Sequence, residues 1–163
     1  MFLGGWRLTG IYTRSTGAPI DIMDGFDRSG LGVPADARPN LNPSFTGPLI
    51  LGGPNEYFNP AAFALQPAGT LGDVGRDTVI GPGLSNLDTA LLKNFRLKKI
   101  SEVANLQFRA EIFNLPNHPN WAQPGQSIYL NGAGGGTINP NVGKVTNIIG
   151  TSRQIQFGLR IAF

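Results

Sequence analysis

The positions of the prolines constrain the fold of this 163-residue chain more than any other sequence feature. All 13 prolines lie in two blocks, nine within residues 17–84 and four within residues 115–152. Proline has no backbone N–H to donate to a β-ladder, so the interior of a sheet excludes it. The two blocks are therefore predicted to be loops or sheet edges, and long central strands must lie in the proline-free tracts.

Three proline-free tracts and the closing segment alternate apolar and polar residues. The predicted strands cover residues 4–16, 85–97, 104–114 and 153–163. Successive side chains of a strand point to opposite faces, so each tract has one apolar face. The closing tract is the clearest case, because every second residue is apolar: Ile155, Phe157, Leu159, Ile161 and Phe163. Residues 142–149 are a weaker fifth candidate.

A helix is the alternative for "LDTALLKNFRLKKI", residues 87–100, because Leu, Ala and Lys favour helices. Apolar residues spaced at i, i+3 and i+4 do not recur over any long window, which favours strands. No apolar run reaches the roughly 18–20 residues of a membrane-spanning helix. We therefore predict an all-β fold of antiparallel amphipathic strands, with long loops at 17–84 and 115–152 and a short turn at 98–103.

Connection and strand lengths favour a membrane barrel over a compact soluble domain. Long loops without secondary structure are uncommon in compact domains, whereas outer-membrane barrels combine short periplasmic turns with long outer loops. Eleven residues at roughly 3.3 Å each span about 36 Å. Tilted by about 45°, such a strand crosses the roughly 25 Å apolar band of a barrel. The sheet is therefore predicted to be an open, curved part of a transmembrane β-barrel in the outer membrane.

Two basic residues contradict a purely apolar outer face. Lys93 has the parity of Leu91 and Phe95, and Arg14 raises the same problem near the opposite rim. A Lys on the lipid face costs roughly 2–4 kcal/mol at the bilayer midplane and about 0–1 kcal/mol near an interface. We expect Lys93 either to reach the headgroups with its long stem or to lie beside a β-bulge that reverses the parity.

The sequence holds no recognisable catalytic or metal-binding constellation. Cys is absent and His118 is the only histidine, which excludes thiolate and multi-histidine metal sites. Arg109 and Glu111 alternate with apolar neighbours and are interpreted as a polar wall that faces the lumen. The stretch "DGFDRSG", residues 24–30, lacks the remaining oxygens and the closing Glu of a calcium loop. The stretch "NGAGGGT", residues 131–137, lacks the Lys-Ser/Thr of a phosphate loop and is predicted to be a loop tip.

The charge pattern gives no sign of a nucleic-acid partner. The formal net charge is only +3, and the 13 Lys and Arg residues are dispersed along the chain. Nucleic-acid binding requires a basic patch or stripe. We therefore expect no enzymatic activity, no cofactor and no nucleic-acid partner.

The closing "QFGLRIAF" resembles the C-terminal assembly signal of bacterial outer-membrane proteins. That signal has a polar residue, a glycine two positions later, a hydrophobic residue three later and a terminal aromatic residue two after that. The matching residues here are Gln156, Gly158, Ile161 and Phe163. The resemblance implies that the barrel assembly machinery recognises this strand. The alternative is an ordinary amphipathic edge strand.

Four further stretches closely resemble the C-terminal barrel segment of TonB-dependent receptor-like proteins, in particular the Oar-like group. They are "GGWRLTGIYTRSTGAPI", "YFNPAAFALQPAGTLGDVGRDTVIGPG", "LDTALLKNFRL" and "LQFRAEIFNLPNHPNW". The resemblance implies a barrel of about 22 strands with a plug inside, of which residues 1–163 would supply the last part. The plug, the energy-coupling box and a signal peptide are then expected on sequence outside this chain.

The resemblance implies a non-enzymatic segment of a TonB-dependent outer-membrane transporter, which forms barrel wall, outer loops and the C-terminal assembly strand. Its expected partners are outer-membrane lipid, the barrel assembly machinery, TonB through N-terminal regions outside this chain, and a transported ligand that the sequence does not identify. The alternative is a soluble secreted β-sandwich that serves binding or adhesion.

Overall fold

A computed structural model describes residues 4–33, 37–98, 102–130 and 136–163. The predicted turn at 98–103 and loop tip at 131–137 extend into ranges outside this description. Within it, the regular elements are strands apart from one 3₁₀ helix at Pro60–Ala62, so the predicted all-β class is confirmed. The strands are β1 Trp6–Ser15, β2 Pro19–Ile20, β3 Asn40–Leu41, β4 Phe63–Ala64, β5 Val79–Ile80, β6 Leu84–Arg96, β7 Asn105–Phe113, β8 Asn120–Trp121, β9 Tyr129–Leu130, β10 Thr137–Ile138, β11 Ile148–Ile149 and β12 Gln154–Ala162.

The four long strands form one antiparallel sheet in the order β1-β6-β7-β12. They coincide with the four alternating tracts to within one or two residues at each end. The helical alternative is wrong, because residues 87–96 belong to β6. Of the weaker candidate at 142–149, only the two-residue β11 is a strand. No helix within the described ranges is long and apolar enough to cross a membrane.

The register brings the apolar residues of all four strands to one face. Leu8 lies opposite Leu91, Leu91 opposite Ala110, and Ala110 opposite Phe157. Residues paired in this way project to the same side of a sheet. This apolar face comprises Trp6, Leu8, Tyr12, Leu87, Leu91, Lys93, Phe95, Leu106, Phe108, Ala110, Ile112, Ile155, Phe157, Leu159 and Ile161. The opposite, polar face carries the Asn, Gln, Arg, Asp and Glu residues of the same strands.

The apolar face is exposed on the two outer strands and mostly half-buried on the inner strands β6 and β7. The outer strands β1 and β12 are exposed along their whole length, and the Phe157 side chain is 72% exposed. A β-sandwich would bury this face against a second sheet. The soluble sandwich alternative therefore does not describe this protein, whereas a lipid-facing wall requires such a surface.

Both long connections leave the same end of the sheet. Ser15, which ends β1, lies opposite Leu84, which begins β6. Phe113, which ends β7, lies opposite Gln154, which begins β12. Arg96, which ends β6, lies opposite Asn105, which begins β7, at the other end. The sheet thus has a long-connection end and a short-turn end.

The chain divides into two compact units. The sheet unit comprises Met1–Ser15, Leu84–Asn120 and Ile149–Phe163, and the loop unit comprises Thr16–Gly83 and Trp121–Ile148. The main buried apolar cluster lies in the loop unit, although its prolines predict only loops. Its members are Ile20, Ile22, Tyr57, Phe58, Ala62, Phe63, Val74, Val79, Ile128, Tyr129 and Val142.

Hydrogen bonds between the two proline-rich blocks hold the loop unit together. The Ile128 N–H donates to the Met23 carbonyl at 2.8 Å, and the Val145 N–H donates to the Pro54 carbonyl at 2.8 Å. Gly25 allows close packing here, because its φ is +92° and a Cβ would lie 2.5 Å from the Tyr129 carbonyl oxygen. The proline-rich blocks are therefore a folded unit with little regular secondary structure, and not structureless loops.

Candidate functional site

A pocket of about 360 Å³ lies on the polar face, at the long-connection end of the sheet. All of its lining residues belong to the sheet unit. They are Thr13, Leu84, Asn86, Asp88, Phe113, Asn114, Asn120, Ile149, Gly150, Thr151 and Gln154. The pocket is therefore built from all four long strands and the chain segments that follow β7 and precede β12.

Asp88 supplies the one carboxylate of the pocket. Its Oδ1 accepts hydrogen bonds from the Asn86 side-chain amide and from the Asn114 backbone N–H, both at 2.9 Å. The described residues provide no hydrogen-bond partner for Oδ2. Asp88 is thus held in position through one oxygen while the other is available to a ligand.

Asn114 shapes the turn that borders the pocket. Its φ is +51°, a left-handed conformation that Asn tolerates better than most residues. The side-chain amide donates to the carbonyls of His118 and Thr151, each at 3.1 Å, and Oδ1 accepts from the His118 N–H at 3.0 Å. At 6% exposure, Asn114 fixes the segments on both sides of the pocket. His118 takes part here through its backbone, which agrees with the prediction of a loop corner.

Asn120 is a second buried amide in the wall. It is 7% exposed, and its Oδ1 accepts from the Ser85 backbone N–H at 2.8 Å. Its amide nitrogen has no protein partner in the described part of the chain. The Asn and Asp side chains are therefore positioned before any ligand arrives.

The four residues of the predicted assembly signal do not line the pocket. Gln156, Gly158 and Ile161 belong to β12, and Phe163 follows it with 82% exposure. Strand alternation places Gln156 and Gly158 on the polar face and Ile161 and Phe163 on the apolar side. Their role as an assembly signal stays a prediction.

Arg109 and Glu111 lie on the polar face, as alternation predicts. They form an ion pair, and Glu111 also accepts a hydrogen bond from the Gln156 amide at 2.6 Å. Neither residue lines the pocket described above. Both contribute to the polar surface of the sheet.

Lys93 lies on the apolar face without a β-bulge, and the expected reach of its stem to the headgroups stays a prediction. The pairing from Thr89 to Arg96 is unbroken, so no bulge reverses the parity. The side chain is only 2% exposed, and its Nζ lies 4.4 Å from the Trp6 ring centroid and 5.2 Å from that of Phe95. The ammonium group is therefore placed over aromatic rings, which attract cations through their π-electrons.

The two acids of "DGFDRSG" are both held by hydrogen bonds within the protein. Asp27 accepts hydrogen bonds from the backbone N–H groups of Gly32 at 2.7 Å and Gly30 at 2.8 Å. These bonds, the one from Gly32 most strongly, hold the pKa of the Asp27 carboxyl below its usual value. Within the described ranges no three His, Cys, Asp or Glu side chains are grouped as metal ligands.

Asp24 is fully buried in the loop unit. Its Oδ2 accepts a hydrogen bond from the Gln66 amide at 2.5 Å, while its Oδ1 and the Gln66 Oε1 have no partner among the described residues. Burial raises the pKa of the Asp24 carboxyl, although the Gln66 hydrogen bond and the charge of Arg28 oppose that change. Asp24 therefore stabilises the loop unit best when it carries a proton.

The sequence did not reveal the pocket. Asp88 alternates like any other polar residue of a strand, and Asn114 and Asn120 lie in the Asn- and Pro-rich stretch "NLPNHPNW". That stretch predicted a loop corner and was the only available signal.

A family model described as an outer membrane beta barrel domain matches residues 1–156 of this chain. No curated protein and no solved structure matches it.

Proposed function

Because this chain belongs to the outer membrane beta barrel domain family and lies in the outer membrane, we propose that it is part of a TonB-dependent transporter of the Oar-like kind. In this role the sheet unit supplies barrel wall, the loop unit supplies the outer loops, and β12 carries the assembly signal. The role is non-enzymatic.

The observation that carries the proposal is the register of the sheet. It aligns one apolar face and one polar face over four strands, as a wall between lipid and an aqueous lumen requires. Closed barrels need at least about eight strands. The four long strands therefore act together with further strands in a larger barrel.

Two features favour a receptor over a simple diffusion pore. The connections at one end contain a folded unit with its own core, and a polar pocket lies at that end of the sheet. Both suit selective capture of a ligand. The TonB-dependent, Oar-like assignment itself rests on the resemblance of the four stretches quoted above.

The proposed partners follow from this role. Lipid contacts the apolar face, the barrel assembly machinery recognises β12, and TonB acts through N-terminal regions outside residues 1–163. We propose no nucleic-acid partner.

The test uses the intact gene product and the purified periplasmic domain of TonB from the same organism. We expect the intact protein to fractionate with the outer membrane, to show heat-modifiable migration on gels, and to bind the TonB domain in a pull-down. Heat-modifiable migration without TonB binding would leave the barrel in place and overturn the TonB-dependent assignment.

A further inference from the structure

The polar atoms of the pocket offer both donors and acceptors to a ligand. Asp88 Oδ2 accepts, the Asn120 amide nitrogen donates, and the Thr13 hydroxyl and Gln154 amide do both. None of these atoms has a protein partner among the residues that the structure describes. A ligand that satisfies them must itself carry groups that both donate and accept, and hydroxyl groups have this property.

The charge of the pocket selects against anions. Among the described residues, Asp88 is the only charged one in the lining, and none of the Lys or Arg residues described lines the pocket. An anionic ligand would meet a carboxylate without a neutralising cation, which is unfavourable at short range. The pocket therefore disfavours an anionic ligand, and a ligand without charge can supply the donors and acceptors described above.

The rest of the lining is apolar. Leu84, Phe113 and Ile149 contribute aliphatic and aromatic surface beside the polar atoms. A ligand with hydroxyl groups at its rim and C–H groups on its faces matches both surfaces. A pyranose ring has this construction, since its C–H face packs on an aromatic ring while its hydroxyls bind amides and carboxylates.

The size and rigidity of the pocket agree with such a ligand. A volume of about 360 Å³ is near the lower end of small-molecule sites, which run from roughly 300 to 1,000 Å³. Asn114 and Asn120 are nearly buried and anchored to backbone groups. A site that is ordered in advance loses less entropy on binding.

We propose that this pocket binds one terminal unit of a neutral saccharide. The inference rests on the proposed receptor function and names the class of its ligand.

The test is binding of the intact gene product, purified in detergent, to an array of neutral, sialylated and amine-bearing glycans. Binding to neutral glycans is expected, with weaker or no binding to sialylated ones. No binding to any neutral glycan, or a preference for sialylated or amine-bearing glycans, would overturn the proposal. The assay contains no TonB, so its failure is distinct from a failure of the TonB pull-down.

Two variants locate the site, each checked for folding by heat-modifiable migration. Asp88→Asn should weaken binding about tenfold or more, because hydrogen bonds to a charged group contribute about 1.5–3 kcal/mol. Thr13→Val removes a hydroxyl that makes no hydrogen bond within the described protein and should weaken binding severalfold. The matched control is Thr9→Val, on the same strand and face but outside the pocket. Equal affinities of the Thr13 and Thr9 variants would place the ligand elsewhere.

Discussion

At the residue scale, Lys93 shows how a charge is tolerated on a lipid-facing surface. The sequence showed on which face of the strand Lys93 lies, but it did not show that the Trp6 ring lies beside the Lys93 ammonium group. That contact depends on the register between β1 and β6, which pairs Trp6 with Lys93 across a connection of 68 residues, 16–83. Alternation within a strand does not determine which residue of a distant strand lies opposite.

Replacing Trp6 should show how much its contact with the Lys93 charge contributes to the stability of the barrel. Trp6→Leu is expected to destabilise the folded barrel by about 1–2 kcal/mol, the range of a partly desolvated cation–π contact. The measurement is urea-induced unfolding of the intact gene product in lipid vesicles.

A double-mutant cycle isolates the contact. Trp6→Leu should cost markedly less in a Lys93→Leu background, and Trp6→Phe, which keeps an aromatic ring, should cost less than Trp6→Leu. An equal cost of Trp6→Leu in both backgrounds would show that the ring acts by packing alone.

The buried Asp24 makes the loop unit sensitive to pH. Its folded-state pKa is raised above the ordinary value of 3.8 by burial. Its stabilising contribution is therefore complete below the unfolded pKa and is lost as the pH rises through the folded pKa. Asp24→Asn keeps an acceptor for the Gln66 amide, adds a donor for the unpaired Gln66 Oε1, and cannot ionise.

We therefore expect Asp24→Asn to increase the stability of the loop unit at neutral pH and to make that stability depend less on pH. Hydrogen-exchange protection of the Tyr129 N–H, which donates to the Asp24 carbonyl at 3.0 Å, measures this in the intact protein. The control is Asp27→Asn, which lies on the surface of the same stretch and should not raise neutral-pH protection. Lower protection in the Asp24 variant would mean that the ionised carboxylate is required.

At the element scale, strands were predictable and the loop core was not. Each long strand carries its own period-two pattern, so a single tract suffices to identify it. The core residues Ile20, Phe58 and Ile128 come from distant points and follow no common period. The pocket was hidden for a related reason, because Asp88 and Asn120 meet only through the register and the turn at Asn114.

The closing strand carries a prediction about assembly. Phe163→Ala should strongly lower the outer-membrane level of the intact protein if the barrel assembly machinery recognises this residue. The loss of one Phe side chain from lipid costs only about 1.5–3 kcal/mol, which is too little for a whole barrel to explain a strong decrease. Phe157→Ala is the matched control, since Phe157 lies in β12, shares the parity of Phe163, which follows that strand, and is also largely exposed. Immunoblots of outer-membrane fractions compare the two, and equal losses would make β12 an ordinary wall strand.

A substitution at Gly158 tests whether this glycine is needed for recognition by the barrel assembly machinery or for packing within the sheet. A Cβ at this position would meet only the Arg109 Cβ, at 4.0 Å, which is ordinary contact. Within this sheet a larger residue therefore fits. Gly158→Val should nevertheless lower outer-membrane levels as Phe163→Ala does if the glycine belongs to the signal, and normal levels would remove it from the signal.

At the scale of the whole molecule, the loop unit should behave as a folded body despite its 11 prolines and many glycines. Its core includes an edge-to-face pair of Phe58 and Phe63, with ring centroids 6.1 Å apart. Proteinase K added to intact cells should therefore cleave the wild-type connections slowly.

Phe58→Ala should make these connections sensitive to the protease. Removing a buried Phe from a core costs roughly 3–5 kcal/mol, while the four long strands keep all of their side chains. The control is Leu31→Ala in the same unit, because Leu31 is 67% exposed. Rapid cleavage of the wild-type protein, or equal cleavage of both variants, would contradict a cored loop unit.

The composition of that core also determines when the loop unit can fold. Ile20 and Ile22 leave the ribosome more than a hundred residues before Ile128 and Val142, yet all four belong to one cluster. Contacts between such distant segments form late, because the chain between them must first be confined. The first connection therefore stays incompletely folded until the second connection joins it in the loop unit. We expect the loop unit to complete its folding only when β7 and β12 are paired. A chain that ends before Ile128 should therefore leave the first connection incompletely folded.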